Sequence, residues 1–322
     1  MSTRCPRGAK RFGFIVKRLL MLIPLVLGIL FVTTFLLDLT PGDPARLVAG
    51  PRASAQDVAK VRDDLGLNRP FIVRYVMYVA NVCHGDFGVS FKTGQNVSQQ
   101  IAQQLPVTLG IAVGAIVLSL LISVPLAIVA AKHADGPIDQ GIRVFDVLCI
   151  GLPSFWIAVM LITYVALPSG IFPVAGLGDT MSDHILALAL PILTVTIGLI
   201  PPMVRSLRAA LLEVYGSDYF IAAKTLGFHG GELTRWFVLR NASGPLVTVA
   251  ASQAGFALFG TTVVEVAFAL PGIGQGMVTA ASSRDFPLIQ GYTFAFAIIV
   301  IAIYLVADII SAAIDPRVRI ES

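Results

Sequence analysis

The sequence has 322 residues, of which 56% are hydrophobic and only 13% are charged, and its mean hydropathy is +0.83. Soluble domains carry about 25% charged residues, so this composition excludes a soluble globular protein and indicates an integral membrane protein. The formal net charge of +4 is divided among segments that separate apolar stretches, so it reports membrane topology and argues against a nucleic-acid-binding surface.

Six apolar segments are long enough to cross a membrane, for which about 20 residues are needed. They predict an all-α integral membrane protein with six transmembrane helices. The first segment is too long for a cleavable signal peptide and no small-residue cleavage site follows it, so it is interpreted as a membrane anchor. In chain order the predicted spans are 19–37, 105–131, 147–166, 185–204, 242–264 and 288–307.

Lysine and arginine residues indicate how these spans are oriented. The loop 167–184 has neither residue and the loop 265–287 has one, whereas the remaining short connections and both termini are basic. Because basic residues accumulate on the cytoplasmic side, both termini are predicted to be cytoplasmic, as segments 1–18 and 315–322. The basic residues are Arg4, Arg7, Lys10, Arg11, Lys17, Arg18, Lys132, Arg143, Arg205, Arg208, Lys224, Arg235, Arg240, Arg317 and Arg319.

The segment 38–104, between the first two spans, is predicted to be an external insert with helices of its own. Ser54 and Asp57 have the spacing of a capping box, and Gly66 can end the helix that they begin. Apolar residues at spacings of three and four predict a second helix over 71–82. The insert is either a spacer or a binding surface.

Motifs for catalysis and nucleotide binding are absent from the sequence. It has no glycine-rich loop closing in Gly-Lys-Ser/Thr, no HExxH pair and no GxSxG nucleophile elbow, so no enzymatic activity, cofactor or metal is predicted. The glycines Gly272, Gly274 and Gly276 follow Pro271 and are interpreted as a turn. Pro153 is interpreted as a kink in the third span.

Polar residues follow one face of the fifth predicted span. Gln253, Ala257, Thr261 and Glu265 are four residues apart, which places them along one side of a helix. Because charge at membrane depth is costly, Gln253, Thr261 and Glu265 are candidates to line a pathway. The alternative is that Glu265 lies outside the hydrocarbon and the other two residues bond neighbouring helices.

A polar insert separates the fourth and fifth spans. Gly216 can end the preceding helix, Ser217 and Asp218 can begin a short helix, and Gly227 can end it in a left-handed conformation. This helix presents Tyr219, Ala222, Ala223 and Leu226 on one face, flanked by Asp218 and Lys224. Its thin, weakly hydrophobic face favours docking to a protein over the alternative of lying on the membrane surface.

The insert resembles the cytoplasmic EAA loop of bacterial ABC-importer permeases. The similarity lies in Ile221-Ala222-Ala223, three further residues and Gly227, with Ile221 at the position of the motif's glutamate. Leu239-Arg240-Asn241-Ala242 with Pro245 resembles the variant of the dipeptide/oligopeptide branch. The remaining similar stretches occur in family order: RLLMLIP at 18–24, PGDP at 41–44, DLGL at 64–67, GDFGVS at 85–90, LPSFW at 152–156, PGIG at 271–274 and DPR at 315–317.

The resemblance implies a type I ABC-importer permease fold, with a five-helix core over 105–314 and a coupling loop over 213–241. It also implies a second, related permease subunit, usually in a heterodimer, two ATPase subunits that bind ATP and Mg, and an external substrate-binding protein. The substrates of similar proteins include dipeptides, oligopeptides, glutathione, nickel complexes and haem. The ATPase-coupling residues would be Ser217, Asp218, Tyr219, Ala222, Ala223, Lys224, Leu226, Gly227, Arg240 and Asn241.

Two other functions stay open on the residues alone. A stand-alone secondary transporter or channel would move its substrate without ATPase subunits, but no inverted repeat or buried ionisable relay is evident in the sequence. An intramembrane enzyme would need a catalytic constellation that the sequence does not contain.

Overall fold

The computed structural model describes residues 23–35, 43–50, 52–64, 66–228 and 240–314. These residues form helices joined by turns, with one isolated antiparallel bridge between Val89 and Asn96. The helices are α1 (Ile23–Phe35), α2 (Pro44–Ala49), α3 (Ala55–Asp64), α4 (Phe71–Cys83), α5 (Val97–Lys132), α6 (Pro137–Gly151), α7 (Ser154–Leu161), α8 (Met181–Tyr215), α9 (Asp218–Thr225), α10 (Arg240–Ala267), α11 (Ile273–Ser283) and α12 (Phe286–Ile314). The predicted all-α membrane architecture is confirmed.

Four helices among the described residues are long and apolar enough to cross a membrane: Val97–Lys132, Met181–Tyr215, Gly244–Ala267 and Phe286–Ile310. They coincide with the second, fourth, fifth and sixth predicted spans, and α1 lies inside the first. The helix α5 has 36 residues and is therefore about 54 Å long, well beyond the roughly 30 Å of a hydrocarbon core. Hydropathy located these helices, but it underestimated their length because their ends extend beyond the apolar stretch.

The third predicted span is broken rather than kinked. The helices Pro137–Gly151 and Ser154–Ser169 meet at an angle of 93°. Leu152, between them, is extended with φ −95° and ψ 116°, because the ring of Pro153 disfavours helical geometry in the residue before it. After α7 the helix continues through a wider turn at Ile162–Ala166 and ends at Gly170, which has a φ of +61°.

The chain forms two compact units, and the first comprises the described residues of Met1–Leu105 and Gly276–Ile301. In the insert, the carboxylate of Asp43 accepts a hydrogen bond from the Ala45 N–H and pairs with Arg62 at 2.6 Å, which joins α2 to α3. The predicted capping box is present: the Ser54 hydroxyl and backbone both bond Asp57, and these bonds hold the pKa of the Asp57 carboxyl below its usual value.

A buried carboxylate organises the GDFGVS stretch of this unit. Asp285 accepts hydrogen bonds from the Ser90 hydroxyl at 2.5 Å and from the N–H groups of Phe91 and Lys92 at 3.1 and 3.2 Å. It thereby fixes the turn that carries the Val89 to Asn96 bridge. The sequence offered no signal for this long-range contact, because Asp285 looks like an ordinary loop residue.

The second unit comprises the described residues of Pro106–Gln275 and Ala302–Ser322, and its core lies between α5, α8 and α10. The helices approach each other closely where a glycine faces a branched side chain. A Cβ atom on Gly114 of α5 would lie 2.6 Å from the Ile192 Cδ1 atom of α8, so only glycine fits there without rearrangement. This packing positions the C-terminal end of α8, after which α9 follows.

Candidate functional site

The segment after α8 folds into the short helix that the sequence predicts. The helix α8 ends at Tyr215, Gly216 caps it, and α9 begins after Ser217 with Asp218 in its first turn. Ser217 differs from the prediction in one respect. Its hydroxyl does not cap α9 but donates to the Val214 carbonyl at 2.6 Å, which ties the start of α9 back to α8.

Gly227 ends α9 in the left-handed conformation, as predicted, with a φ of +94°. The N–H of Phe228 bonds the carbonyl of Ala223, and the N–H of Gly227 bonds the carbonyl of Lys224, each at 3.2 Å. This pair of bonds is the Schellman motif, which satisfies the last carbonyls of a helix and requires a residue that tolerates positive φ. The chain direction after α9 is therefore set by this glycine.

The two sides of α9 differ sharply in exposure. Ala223 is only 3% exposed, and the Phe220 ring lies 5.1 Å from the Tyr215 ring, so this side packs against α8. Tyr219 and Ala222 are exposed, and Leu226 is 78% exposed. Of the four residues on the predicted face, Ala223 is therefore buried within this chain, whereas the other three form an exposed apolar surface. We call Tyr219, Ala222 and Leu226 the α9 face.

The remaining predicted coupling residues are either exposed on α9 or lie at the start of α10. Asp218 and Lys224 are exposed on α9, and so is Ile221, which stands where the motif has a glutamate. Arg240 and Asn241 lie in the first turn of α10, but their side chains are outside the described residues, as is the whole stretch 229–239.

A cluster of charges stabilises the end of α8 that carries α9. Arg208 donates through Nε and Nη2 to the two carboxylate oxygens of Asp139, each at 2.7 Å. Arg143 donates to the same carboxylate and, at 2.8 Å, to Asp135, and the Asp135 N–H bonds Asp139 at 3.0 Å. We call Asp135, Asp139, Arg143 and Arg208 the charge cluster. Asp139 is fully buried, so its carboxylate needs these partners.

The charge cluster joins α6 to α8. Asp139 and Arg143 are one turn apart on α6, and Arg208 is on α8, two turns before Tyr215 and thus about 10 Å from the end of that helix. A bidentate arginine–carboxylate pair fixes orientation as well as distance. In the sequence, these arginines indicated only the membrane topology. Their role could have been suspected from the spacing of Asp139 and Arg143 on one helix face.

The residues predicted to line a pathway are buried inside this chain. Ala257 belongs to the core, Thr261 is buried with its hydroxyl donating to the Leu258 carbonyl, and Gln253 is nearly buried. The opposite side of α10 is open instead, with Phe256 and Phe259 70% and 73% exposed. The periodicity identified a real helix face, and that face packs against helices of the same chain. Its pathway-lining role stays a prediction.

Glu265 bridges three elements at the end of α10. Its carboxylate accepts hydrogen bonds from the Thr108 hydroxyl of α5 at 2.7 Å and from the Gln275 N–H in the first turn of α11 at 3.0 Å. The Thr108 hydroxyl in turn accepts from the Ile273 N–H at 2.9 Å. A carboxylate at a helix N-terminus is electrostatically favourable, so Glu265 fixes where α11 begins.

The PGIG stretch, where the chain turns into α11, packs closely against this carboxylate. A Cβ atom on Gly272 would overlap the Glu265 carboxylate, and one on Gly274 would lie 2.6 Å from the Thr262 Cα atom. Both positions therefore need glycine because the backbone approaches α10 too closely for any side chain. The interpretation of the three glycines as a turn is correct for Gly272 only, because Gly274 and Gly276 lie in α11, which begins at Ile273.

Comparison with protein families identifies what kind of chain has this architecture. Residues 123–320 match the family described as "Binding-protein-dependent transport system inner membrane component", and residues 11–112 match the N-terminal region of such membrane components. The chain belongs to this family. It is therefore a membrane component of a binding-protein-dependent transport system, and the predicted family is confirmed.

Individual relatives span the whole chain. The glutathione transport system permease protein GsiC of Salmonella choleraesuis is 35% identical over 307 residues, covering 95% of this chain and 99% of the relative. A putative peptide transport system permease protein of Brucella abortus is 34% identical over 310 residues, covering 95% and 99%. The oligopeptide transport system permease protein AppB of Bacillus subtilis is 33% identical over 314 residues, with the same coverage.

A solved structure confirms the fold of this permease component. The inward-facing MetNI methionine ABC transporter contains a chain that matches with a TM-score of 0.55 and 18% identity, covering 67% of this permease component and 97% of that chain. The predicted ABC-importer permease fold is confirmed. Permease components of this family do not catalyse ATP hydrolysis themselves, in agreement with the absence of a phosphate-binding loop from the sequence.

Proposed function

We propose that this chain is one of two membrane subunits of an ABC importer that takes up small peptides. The relatives are permeases of glutathione, oligopeptide and putative peptide transport systems, and glutathione is itself a small peptide. The observation that carries the proposal is α9: a short helix with one packed side and one exposed apolar side, at the end of a long apolar helix. Neither a stand-alone carrier nor a channel would need such a surface.

In this proposal the α9 face docks into a groove on a cytoplasmic ATPase. Leu226, Tyr219 and Ala222 would supply the apolar contact, with Asp218 and Lys224 at its edge. Ile221 is also exposed on α9, where the motif has a glutamate, so an aliphatic side chain stands in place of the motif's usual carboxylate. Ser217 and Gly227 set the two ends of the helix, and Arg240 and Asn241 follow at the start of α10. Ala223 acts from the packed side, as the small residue that lets α9 lie close to α8.

Force from the ATPase would then reach the membrane spans through α8. The Ser217 to Val214 bond and the Phe220 to Tyr215 ring contact attach α9 to that helix. The Asp139 to Arg208 pair extends the attachment to α6, so that three cytoplasmic elements would move together. Rigid-body movement of this kind is one of the common ways in which transporters change the accessible side of a pathway.

The assembly would contain a second, related permease as a heterodimer, two ATPase subunits that bind ATP and Mg, and an external substrate-binding protein. Both termini and α9 would be cytoplasmic, and the insert 38–104 would be external, with the permease core over 105–314. Gln253, Thr261 and Glu265 would reach a pathway only in a conformation that separates α10 from its neighbours, since all three are buried here.

Replacing Leu226 with aspartate is expected to weaken binding of the ATPase subunits strongly. Burial of a leucine contributes about 1.5–3 kcal/mol, so its loss should weaken binding roughly tenfold or more. The measurement is co-purification of the ATPase subunits of the same transport system with the tagged chain. Gln140→Asp, an exposed change on α6, is the matched control and should retain them. Equal recovery of ATPase with Leu226→Asp, in a monodisperse preparation, would refute the docking surface.

A further inference from the structure

The helix α4 packs along α1 in a way that fixes its depth. The Phe71 ring lies 5.1 Å from the Phe31 ring and 5.8 Å from the Phe35 ring, whereas the Tyr75 ring lies 5.5 Å from Phe31. The Tyr75 hydroxyl donates to the Leu27 carbonyl at 2.9 Å. As the chain advances along α4, its contacts therefore move back along α1, away from the outer end of that helix.

These contacts place Tyr75 deeper in the membrane than its outer boundary. The Gln290 side chain donates to the Thr33 carbonyl at 3.3 Å, so Thr33 lies beside the start of α12, where the sixth predicted span begins. Leu27 lies six residues before Thr33, which is about 9 Å deeper along a helix. The middle of α4 is therefore at the depth of the hydrocarbon and not in the external water.

The chain comes back to the outer part of α12 soon after α4 ends. The Phe87 ring lies 5.2 Å from the Phe294 ring. Phe294 is four residues after Gln290 and therefore lies about 6 Å inside the boundary. Four extended residues reach at most about 14 Å, so Cys83, at the end of α4, stays within about 14 Å of Phe87 and α4 does not continue across the membrane. With 13 residues it is also too short to cross, and an apolar helix of that length is typical of an interfacial segment.

One side of α4 is apolar and exposed. Ile72, Val73 and Val76 are between 43% and 61% exposed, and the Arg69 guanidinium contacts the Met77 Sδ atom at the edge of this side. The preceding helix α3 has a very different composition, because five of its ten residues are charged: Asp57, Lys60, Arg62, Asp63 and Asp64. On α1, Val32 is also exposed.

We propose that α4 lies in the outer leaflet, with Ile72, Val73 and Val76 in contact with lipid acyl chains. This placement rests on the orientation given under the proposed function. It changes the interpretation of the insert 38–104: α3 belongs to its aqueous part, whereas α4 belongs to its lipid-embedded part. The buried apolar area would hold the outer end of α1 in position.

Quenching by brominated lipid tests this placement in the full-length chain. Val76→Cys is introduced into a background in which Cys5, Cys83 and Cys149 are replaced, and is labelled with bimane. The chain is reconstituted in phosphatidylcholine vesicles with brominated acyl chains. Val32→Cys on α1 is the lipid-facing reference, and Gln56→Cys on α3 is the aqueous control. The proposal expects the loss of fluorescence at position 76 to equal that at position 32, with none at position 56.

Each other result overturns the proposal in a distinguishable way. Fluorescence at position 76 that persists as at position 56 would place α4 in water. Quenching that disappears when the partner permease or the binding protein is added would assign the face to protein contact. Unquenched fluorescence at position 32 would show that α1 is not in contact with lipid, so its contacts with α4 would no longer place α4 at membrane depth. ATPase binding by the unlabelled chain, measured in parallel, shows whether the proposed coupling function fails independently.

Discussion

Replacing Gly227 with valine is expected to abolish transport-coupled ATP hydrolysis while the protein stays in the membrane. Gly227 has a φ of +94°, and a left-handed conformation costs an L-residue roughly 1–2 kcal/mol, with β-branched residues the least tolerant. A penalty of that size lowers the population of the correctly formed helix end about 5- to 30-fold. The α9 face would then be presented at the wrong angle to its ATPase. The measurement is stimulation of ATP hydrolysis by substrate-loaded binding protein in the assembled importer.

The matched control for this variant is Gly227→Asn. Asparagine tolerates positive φ better than other non-glycine residues, so coupling should be largely retained with a side chain of similar size. No Cβ clash complicates the comparison, because a Cβ on Gly227 would have no heavy atom within 4 Å. Equal loss of coupling in both variants would show that bulk, and not backbone conformation, is responsible. Full coupling in Gly227→Val would contradict the assigned role of this helix end.

Replacing Asp139 with asparagine is expected to destabilise the end of the permease where α6 meets α8. The carboxylate is fully buried and accepts four hydrogen bonds, two of them from Arg208. Removing one partner of a buried ion pair typically costs 3–5 kcal/mol, and about 3 kcal/mol is expected here because Arg208 keeps some contact with solvent. Thermal unfolding in detergent should show the loss, and stimulated ATP hydrolysis should fall because α6 no longer restrains α8.

Asp135→Asn provides a control within the same cluster. Asp135 also pairs with Arg143, at 2.8 Å, but its side chain is 86% exposed. Exposed ion pairs contribute about 0–1 kcal/mol, so this variant should behave like the wild type. Asparagine also suits the positive φ of this position, +62°. If both variants unfold alike, the burial of Asp139 is not what makes it important.

Local features of the site could be predicted from the sequence because their causes are local. Gly216 and Gly227 end helices for reasons that concern a few neighbouring residues, and the short helix between them followed from those signals. The apolar spans followed from hydropathy in the same way. The bend at Pro153 is sharper than the predicted kink, because its 93° angle depends on how α6 packs against α8 as well as on the proline.

Long-range polar contacts could not be predicted, because they join residues that are far apart in the sequence. Nothing near Asp139 specifies that Arg208 will meet it, and nothing near Glu265 specifies Thr108. The periodicity that places Glu265, Thr261 and Gln253 on one face is correct. Whether that face meets a pathway or another helix depends on the fold, and here it is covered by the same chain.

The most direct test of the central claim is reconstitution of peptide uptake in proteoliposomes. This chain would be assembled with the partner permease and ATPases of its own transport system, and loaded with labelled peptide through the binding protein. The account predicts ATP-dependent uptake that requires this chain and is lost with Leu226→Asp or Gly227→Val. Peptide movement by this chain alone, without ATPase subunits, would contradict it and establish a stand-alone transporter.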